Sequence, residues 1–526
     1  MNETDLANLP PDDPIDILER PIFTVVPDDG PRLVLSLAGL FSRLGHGEPT
    51  ELAYLMPHQQ HVMHAFCVQL AALVCARSGD AKLDRSEAEW REALRALAGS
   101  KEAFQLVVGD LSKPAFMQPP VPAGNLDDFG IVPTPDELDV LVLAKNHDVK
   151  AARIHRPRVE HWLFALISLQ TQQGFSGRDN YGVARMNGGF GNRPGIGVSR
   201  GIEWHRRLAR DVRVATDALP KLLAEGQRYR DDGLATLWTV PWDGTKSLGL
   251  GELHPLFIEI CRRVRLTRAR GVIVARTRST KVPRLEAKEA KGNTGDLWTP
   301  VDVERGAALT LPAAGFPYAR VSQLLFEDDW IRPASLELRD EDGDRPVVVA
   351  RALVRGQGKT EGLHERVVTL PPRARGLLRT RDGRGRLGTL SKERIEAVRN
   401  LRLRVLKPAL CAFLHGGLDD LKLDDDRADD WLDRLERDVD AEFFPRLFAD
   451  IETDADERSK SFETWLVTLG RDLLERAMAS LPTPSARRER AVAAAEARFF
   501  GGVRKNFQRV ELRRPQTTSS QENDSP

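Results

Sequence analysis

Residues 431–443 read Trp431-Leu432-Asp433-Arg434-Leu435-Glu436-Arg437-Asp438-Val439-Asp440-Ala441-Glu442-Phe443. Leu432, Leu435, Val439 and Phe443 stand at i, i+3, i+7 and i+11, so an α-helix collects them on one side and leaves charges on the other. Phe462, Trp465, Leu466, Leu469 and Leu473 repeat the pattern in a following helix. An earlier helix runs from Ser391 to about Leu414, and Pro408, which lacks a backbone N–H, predicts a kink in it. Thr483 and Pro484 offer an N-cap and a first-turn proline for a helix through Phe499 and Phe500. Four amphipathic helices with short connections bury their stripes against one another, which makes residues 386–514 a C-terminal four-helix bundle. Residues 515–526 are a polar, disordered tail.

Upstream the pattern is mixed. Residues 1–14 form a flexible acidic lead, and two strands near Pro21–Val26 and Arg32–Leu35 flank the turn chemistry of Asp28-Asp29-Gly30. Ser36 opens a short helix. A long helix starts near Pro57 with Val62, Phe66, Leu70, Leu73 and Val74 on one face, and another spans about Ser86–Leu97. Pro114–Pro135 holds six prolines and reads as irregular loop; 138–144 reads as a buried strand; Val159–Gln172 reads as a helix. Short β-branched runs between turns make 272–350 β-rich. The fold class is α+β: a large mixed domain over 15–385, then the bundle.

The 526 residues carry 77 Lys+Arg and 77 Asp+Glu, yet the balance is segregated. Residues 151–210 hold ten Arg and no Lys against three acids. Residues 261–291 hold eleven bases against Glu286 and Glu289, and 366–407 hold thirteen against three. Residues 415–457 reverse this with seventeen acids against five bases. Separate basic blocks joined by glycine-rich loops favour a polyanionic partner over an evenly solvated surface. Cys67, Cys75, Cys261 and Cys411 are scattered without a CxxC pair, which argues against a disulfide framework and a zinc cluster. No signal peptide is read at the N-terminus, and the most apolar helix, Val62 to Ala76, is interrupted by Gln69 and read as too short to span a bilayer. The expected location is the cytoplasm, with no membrane partner.

Four stretches invite chemistry. Gly356-Gln357-Gly358-Lys359-Thr360 resembles the end of a phosphate-binding loop, but GxxxxGK[ST] needs a glycine where Leu353 stands, and a helix should follow. His58, His61 and His64, at i, i+3 and i+6, are strung along a helix and converge poorly on one metal. Asp424–Asp426, Asp429 and Asp430 suit a helix N-terminus better than a cation. Residues 174–195 differ: seven glycines there interleave with Arg178, Arg185 and Arg193, so backbone can approach a groove while guanidinium groups reach phosphate.

The order of Lys113-Pro-Ala-Phe-Met-Gln118, Lys145-Asn-His-Asp148, Gly174-Phe-Ser-Gly177 after a helix, Gly356-Gln-Gly358 and a terminal helical bundle resembles the CasA family over about residues 15–510. CasA is the large subunit of the type I-E CRISPR surveillance complex, Cascade. The resemblance implies a non-enzymatic subunit without cofactor or metal. Its partners would be target DNA bearing a protospacer-adjacent motif (PAM), the guide RNA, the other Cascade subunits and the helicase–nuclease.

It further implies that Gly174, Phe175, Ser176 and Gly177 are the glycine loop facing the PAM minor groove, with Lys291, or Lys288 beside it, as the groove lysine. Gly356, Gln357 and Gly358 match the wedge that splits the duplex, and Arg178, Arg185 and Lys359 are assigned to phosphate. Asn146 and His147 match the segment at the guide RNA's 5′ handle and the neighbouring subunits. Some relatives carry Asn where this chain has Gly356, and some carry a cysteine cluster where only Cys261 stands. Two other classes stay open: an ATPase built on Gly356–Thr360, and an RNA-binding scaffold indifferent to sequence.

Overall fold

In the computed structural model, residues 14–511 are described except 144, 147–151, 189–190, 226–227, 270, 418–422 and 483–484. His147, the acidic lead up to residue 13, the Thr483-Pro484 cap and the polar tail thus lie outside the described residues. The chain divides into two units, Met1–Phe316 with Asp328–Arg375, and Pro317–Glu327 with Gly376–Pro526. The second unit therefore begins about ten residues before the expected boundary and recruits the helix Tyr318–Phe326 from a region read as β-rich.

The first unit is built around the helix Gln60–Ser78, preceded by a 3-10 turn at Pro57–Gln59. One apolar face was expected; instead every residue from His61 to Cys75 is buried. The helices Glu87–Ala98, Val159–Gln172 and Trp204–Ala224 and the strand Leu253–Ile258 pack around it. With its 3-10 turn it spans 22 residues, longer than read, and is long and apolar enough to cross a bilayer; here it is a core element.

Several of its polar side chains find partners inside. Gln69 Nε2 donates to the Phe257 carbonyl at 2.7 Å. His58 meets Asp139 (2.9 Å), His61 the Arg193 carbonyl (3.0 Å) and His64 Asp211 (2.9 Å). Three histidines thus take three separate partners and do not converge on one point.

Many short elements fall where sequence places them. Strands Phe23–Val26 and Leu33–Leu35 pair antiparallel, and Ser36 Oγ caps the helix Leu37–Gly45 by accepting from Gly39 N at 2.9 Å. The helix Val159–Gln172 has the expected limits. The strand expected over 138–144 is absent from its described residues: Pro135–Leu138 is a short helix, and the chain then bends. The reason is Asp139 within the apolar run. Its carboxylate accepts from Val140 N, Ser168 Oγ, His58 and Gln59, which ties the segment to two helices instead of a ladder.

In the second unit the stripe Leu432, Leu435, Val439 and Phe443 lies fully buried along the helix Asp426–Ala449. Helices Ala455–Ser480 and Ser485–Asn506 follow. The first long helix is Arg381–Asn400, then a π-helical stretch Leu401–Leu406, then Lys407–Leu414. Its irregularity therefore sits in the turn before Pro408, where the proline's missing N–H leaves a carbonyl unserved. Asp425 Oδ1 accepts from Arg427 N at 3.1 Å, so the acidic run caps its helix.

Candidate nucleic-acid interface

Val347–Gly356 and Lys359–Thr369 form an antiparallel hairpin joined by only Gln357 and Gly358, with Gly195–Ser199 on the other side of the first strand. A register shift at Val354/Arg355 bends the last residues before the tip. Gly358 has φ +75°, the left-handed geometry that glycine supplies at a tight turn. Gln357 is exposed at the tip. This corrects the phosphate-loop reading: strand, turn, strand leaves no helix N-terminus to receive a nucleotide phosphate.

The tip is held from one side. Lys145 N donates to the Gly358 carbonyl at 2.8 Å. Asn146 Oδ1 accepts from Thr360 N (3.0 Å) and from Leu143 N (3.1 Å), while its Nδ2 donates to the Thr360 carbonyl (3.2 Å). Asn146, expected at the RNA handle, thus spends its side chain on the hairpin.

The glycine loop leaves the C-terminus of Val159–Gln172 through Gln173. Asn180 N donates to the Gly177 carbonyl and Ser176 N to the Asn180 carbonyl, both at 3.0 Å, which closes a small turn with Gly177 at φ +115°. Ser176 is exposed and Phe175 half-buried, 6.4 Å from the Tyr181 ring. Gly182 packs under the loop so closely that a Cβ there would stand 2.5 Å from the Gly174 carbonyl carbon.

From Gly182 the chain leads to Met186 and Asn187, whose backbone lies against Gly292; a Cβ on Gly292 would come within 2.6 Å of Met186 C. Lys291, with φ +48°, ends the 3-10 turn Lys288–Ala290 and is exposed, as is Lys288. Close packing of Gly292 thus places Lys291 beside the glycine-rich segment.

Of the three phosphate candidates, Arg178 is 95% exposed and Lys359, also exposed, stands 3.2 Å from Glu361. Arg185 is a correction. It is buried, pairs with Glu259 at 3.4 Å, donates to the Phe257 carbonyl at 3.0 Å and lies over the Phe257 ring. Burial pushes the Glu259 carboxyl up and the Arg185 guanidinium down. Arg193 is likewise internal, bidentate to Asp296 at 2.6 and 2.7 Å.

The basic blocks share this fate in part. Arg210 is buried against Asp342, and Arg263, Arg265 and Arg284 are buried among carbonyls and rings. Local charge counts therefore overstate the positive surface. Within the Lys113–Gln118 segment, residues 114–118 are also core: Gln118 is fully buried and accepts from Leu266 N at 2.6 Å.

Residues that sequence reasoning passed over join the two loops. Gln173, Asn192 and Arg355 form a buried cluster beneath the glycine loop, and Arg262 Nη2 reaches the Gly174 and Asn180 carbonyls at 3.4 and 3.3 Å. Nothing in local spacing marks them, since their partners are remote in sequence. No group of three or more His, Cys, Asp or Glu suited to a metal occurs among the described residues. All four cysteines are buried and unpaired.

No protein-family model matches the chain, and no curated protein matches it in sequence. Solved structures do. The Cse1 protein of Thermobifida fusca is similar with a TM-score of 0.64 and 15% identity, over 95% of this chain and 99% of that one. Cse1 of Acidimicrobium ferrooxidans gives 0.60 and 16%, over 94% and 99%. CasA (Cse1) of Thermus thermophilus gives 0.59 and 15%, over 93% and 99%. What is shared at this identity is the fold, and it is shared nearly end to end.

Proposed function

We propose that this chain, with its Cse1/CasA fold, is the large subunit of a type I-E CRISPR surveillance complex. In this reading it is not an enzyme. It reads the PAM on double-stranded DNA through the minor groove, starts strand separation for the guide RNA and helps recruit the helicase–nuclease. Its setting is a soluble cytoplasmic complex with guide RNA and the other subunits. The observation that carries the reading is an exposed glutamine at the tip of a braced hairpin, tied at its root to a glycine loop.

Each part has a physical task. Gly177 carries no side chain, so the outer turn of the loop can approach a groove only about 6 Å wide, while Gly174 is buried at the loop's root. Lys291 donates to the acceptors on that groove's floor, whose degenerate pattern permits a set of related PAMs. Gln357 enters the next base step; unstacking there costs about a few kcal/mol. Phosphate contacts from Arg178 and Lys359 offset that cost and make binding salt-dependent. Guide pairing then supplies sequence specificity.

The test is a gel shift of the assembled complex on duplexes that differ only in the PAM, paired with a probe of base opening on linear DNA. PAM-dependent binding is expected, and Gln357→Ala retains it while losing opening. Equal affinity for both duplexes overturns the reading and favours an RNA scaffold indifferent to sequence.

A further inference from the structure

Arg355 directly precedes the Gly356-Gln357-Gly358 tip and is 6% exposed. Its Nη1 donates to Gln173 Oε1 and, at 3.3 Å, to Asn192 Oδ1. Gln173 is the residue on which the helix hands over to the glycine loop. Its carbonyl accepts from Val183 N at 2.9 Å, closing the far end of that loop. Asn192 Oδ1 also lies 3.4 Å from Gly174 N, inside the loop itself. One guanidinium therefore touches the roots of both tips, across 182 residues of sequence.

Stability is a poor reason for this arrangement. No carboxylate pairs with Arg355 among the described residues, so a buried cation rests on neutral amides. Burial, reinforced by neighbouring Arg262, pushes the guanidinium down to about 10. A buried cation carries a desolvation cost that neutral amides return only in part. Arg355 Nη1 alone donates to both amide oxygens and so ties their positions together, which an aliphatic chain cannot do.

We propose that Arg355 is a positioning residue that couples the two tips, so that seating the glycine loop in the minor groove places Gln357 at the adjoining base step. The coupling rests on the reading of those tips given above. Recognition and opening then form one mechanical event: a duplex that fails to seat the loop does not receive the wedge.

The experiment compares two duplexes with the same PAM, one fully paired and one already unpaired at the step beside it. Binding of the assembled complex is measured with Arg355→Met, and the melting temperature of the full chain is recorded. A charge-assisted hydrogen bond of this kind corresponds to about a tenfold loss. That loss is expected on the paired duplex, with less than about twofold on the pre-opened one and no fall in melting temperature. Gln173→Met, which removes the acceptor from the other side, is expected to show the same selectivity, so the proposal stands or falls even where Arg355→Met folds poorly. Equal losses on both duplexes, or none on either, overturn the coupling. If the parent complex ignores the PAM, the functional reading fails instead; if it obeys the PAM while both variants keep the parent's ratio of affinities, only the coupling fails.

Discussion

Asn146→Ala removes the brace on the hairpin tip, and its effect follows from three hydrogen bonds. The amide accepts from Thr360 N and Leu143 N and donates to the Thr360 carbonyl at 3.0, 3.1 and 3.2 Å. Each such bond contributes about 1 kcal/mol net when both partners are otherwise solvated. Asn146 and Thr360 are half-buried, so water replaces part of what the alanine removes, and about 1–2 kcal/mol of local stability is lost. That corresponds to roughly 5- to 30-fold faster opening of the tip.

Amide hydrogen exchange at Thr360 reads this directly, because its N–H is one of the bonds removed. Exchange at Val349 and Val367, paired in the middle of the ladder, should stay unchanged. Lys145 N to Gly358 O, made by backbone alone, limits the loosening to the tip. Unaltered exchange at Thr360 would show that the backbone bond and the two-residue turn hold the tip without Asn146. A uniform increase along both strands would show instead that the side chain supports the whole hairpin.

Other perturbations separate the parts of the site. Lys291→Ala should weaken binding of PAM-bearing duplex in a gel shift while Lys288→Ala does not; the reverse result moves the groove lysine three residues upstream. Gly182→Ala forces a Cβ to 2.5 Å from Gly174 backbone, and overpacking of this kind costs about 1–3 kcal/mol. It should displace the glycine loop and lower affinity for PAM-bearing duplex with little change in the far-ultraviolet circular dichroism.

Acid should destabilise the first unit through its buried histidines. Burial holds His61 down at about 3 and His254 at about 4, against 6.5 as the unperturbed value. The unfolded chain then binds protons that the folded one refuses, so stability is intact above pH 6.5 and is lost as pH falls toward 4 and 3. At pH 5 each group costs about 2 kcal/mol. Denaturant midpoints measured at pH 7 and pH 5 check this, and His61→Gln should shrink the difference by about 2 kcal/mol, leaving the His254 share.

The helices of the second unit were legible because their signal is local. Leu432, Leu435, Val439 and Phe443 declare a buried stripe through spacing alone, and all four prove to be fully buried. Ser36 as a cap and the limits of Val159–Gln172 follow from equally short-range chemistry. The run 138–144 failed for a related reason. The apolar run suits a buried strand, but Asp139 meets His58, Gln59 and Ser168 from remote helices, and those bonds override the preference for a strand.

The amino-acid order by itself determined the α+β class and the helical C-terminal region, since periodicity and turn chemistry act within a few residues. Tertiary structure alone decided which arginines face solvent. Arg178 is exposed while Arg185 and Arg193 in the same stretch are buried against Glu259 and Asp296, 74 and 103 residues away. It also decided that Arg355, Gln173 and Asn192 meet beneath both tips. Burial and pairing of a charge depend on what the whole fold brings to it, and the residue's neighbours in sequence carry no record of that.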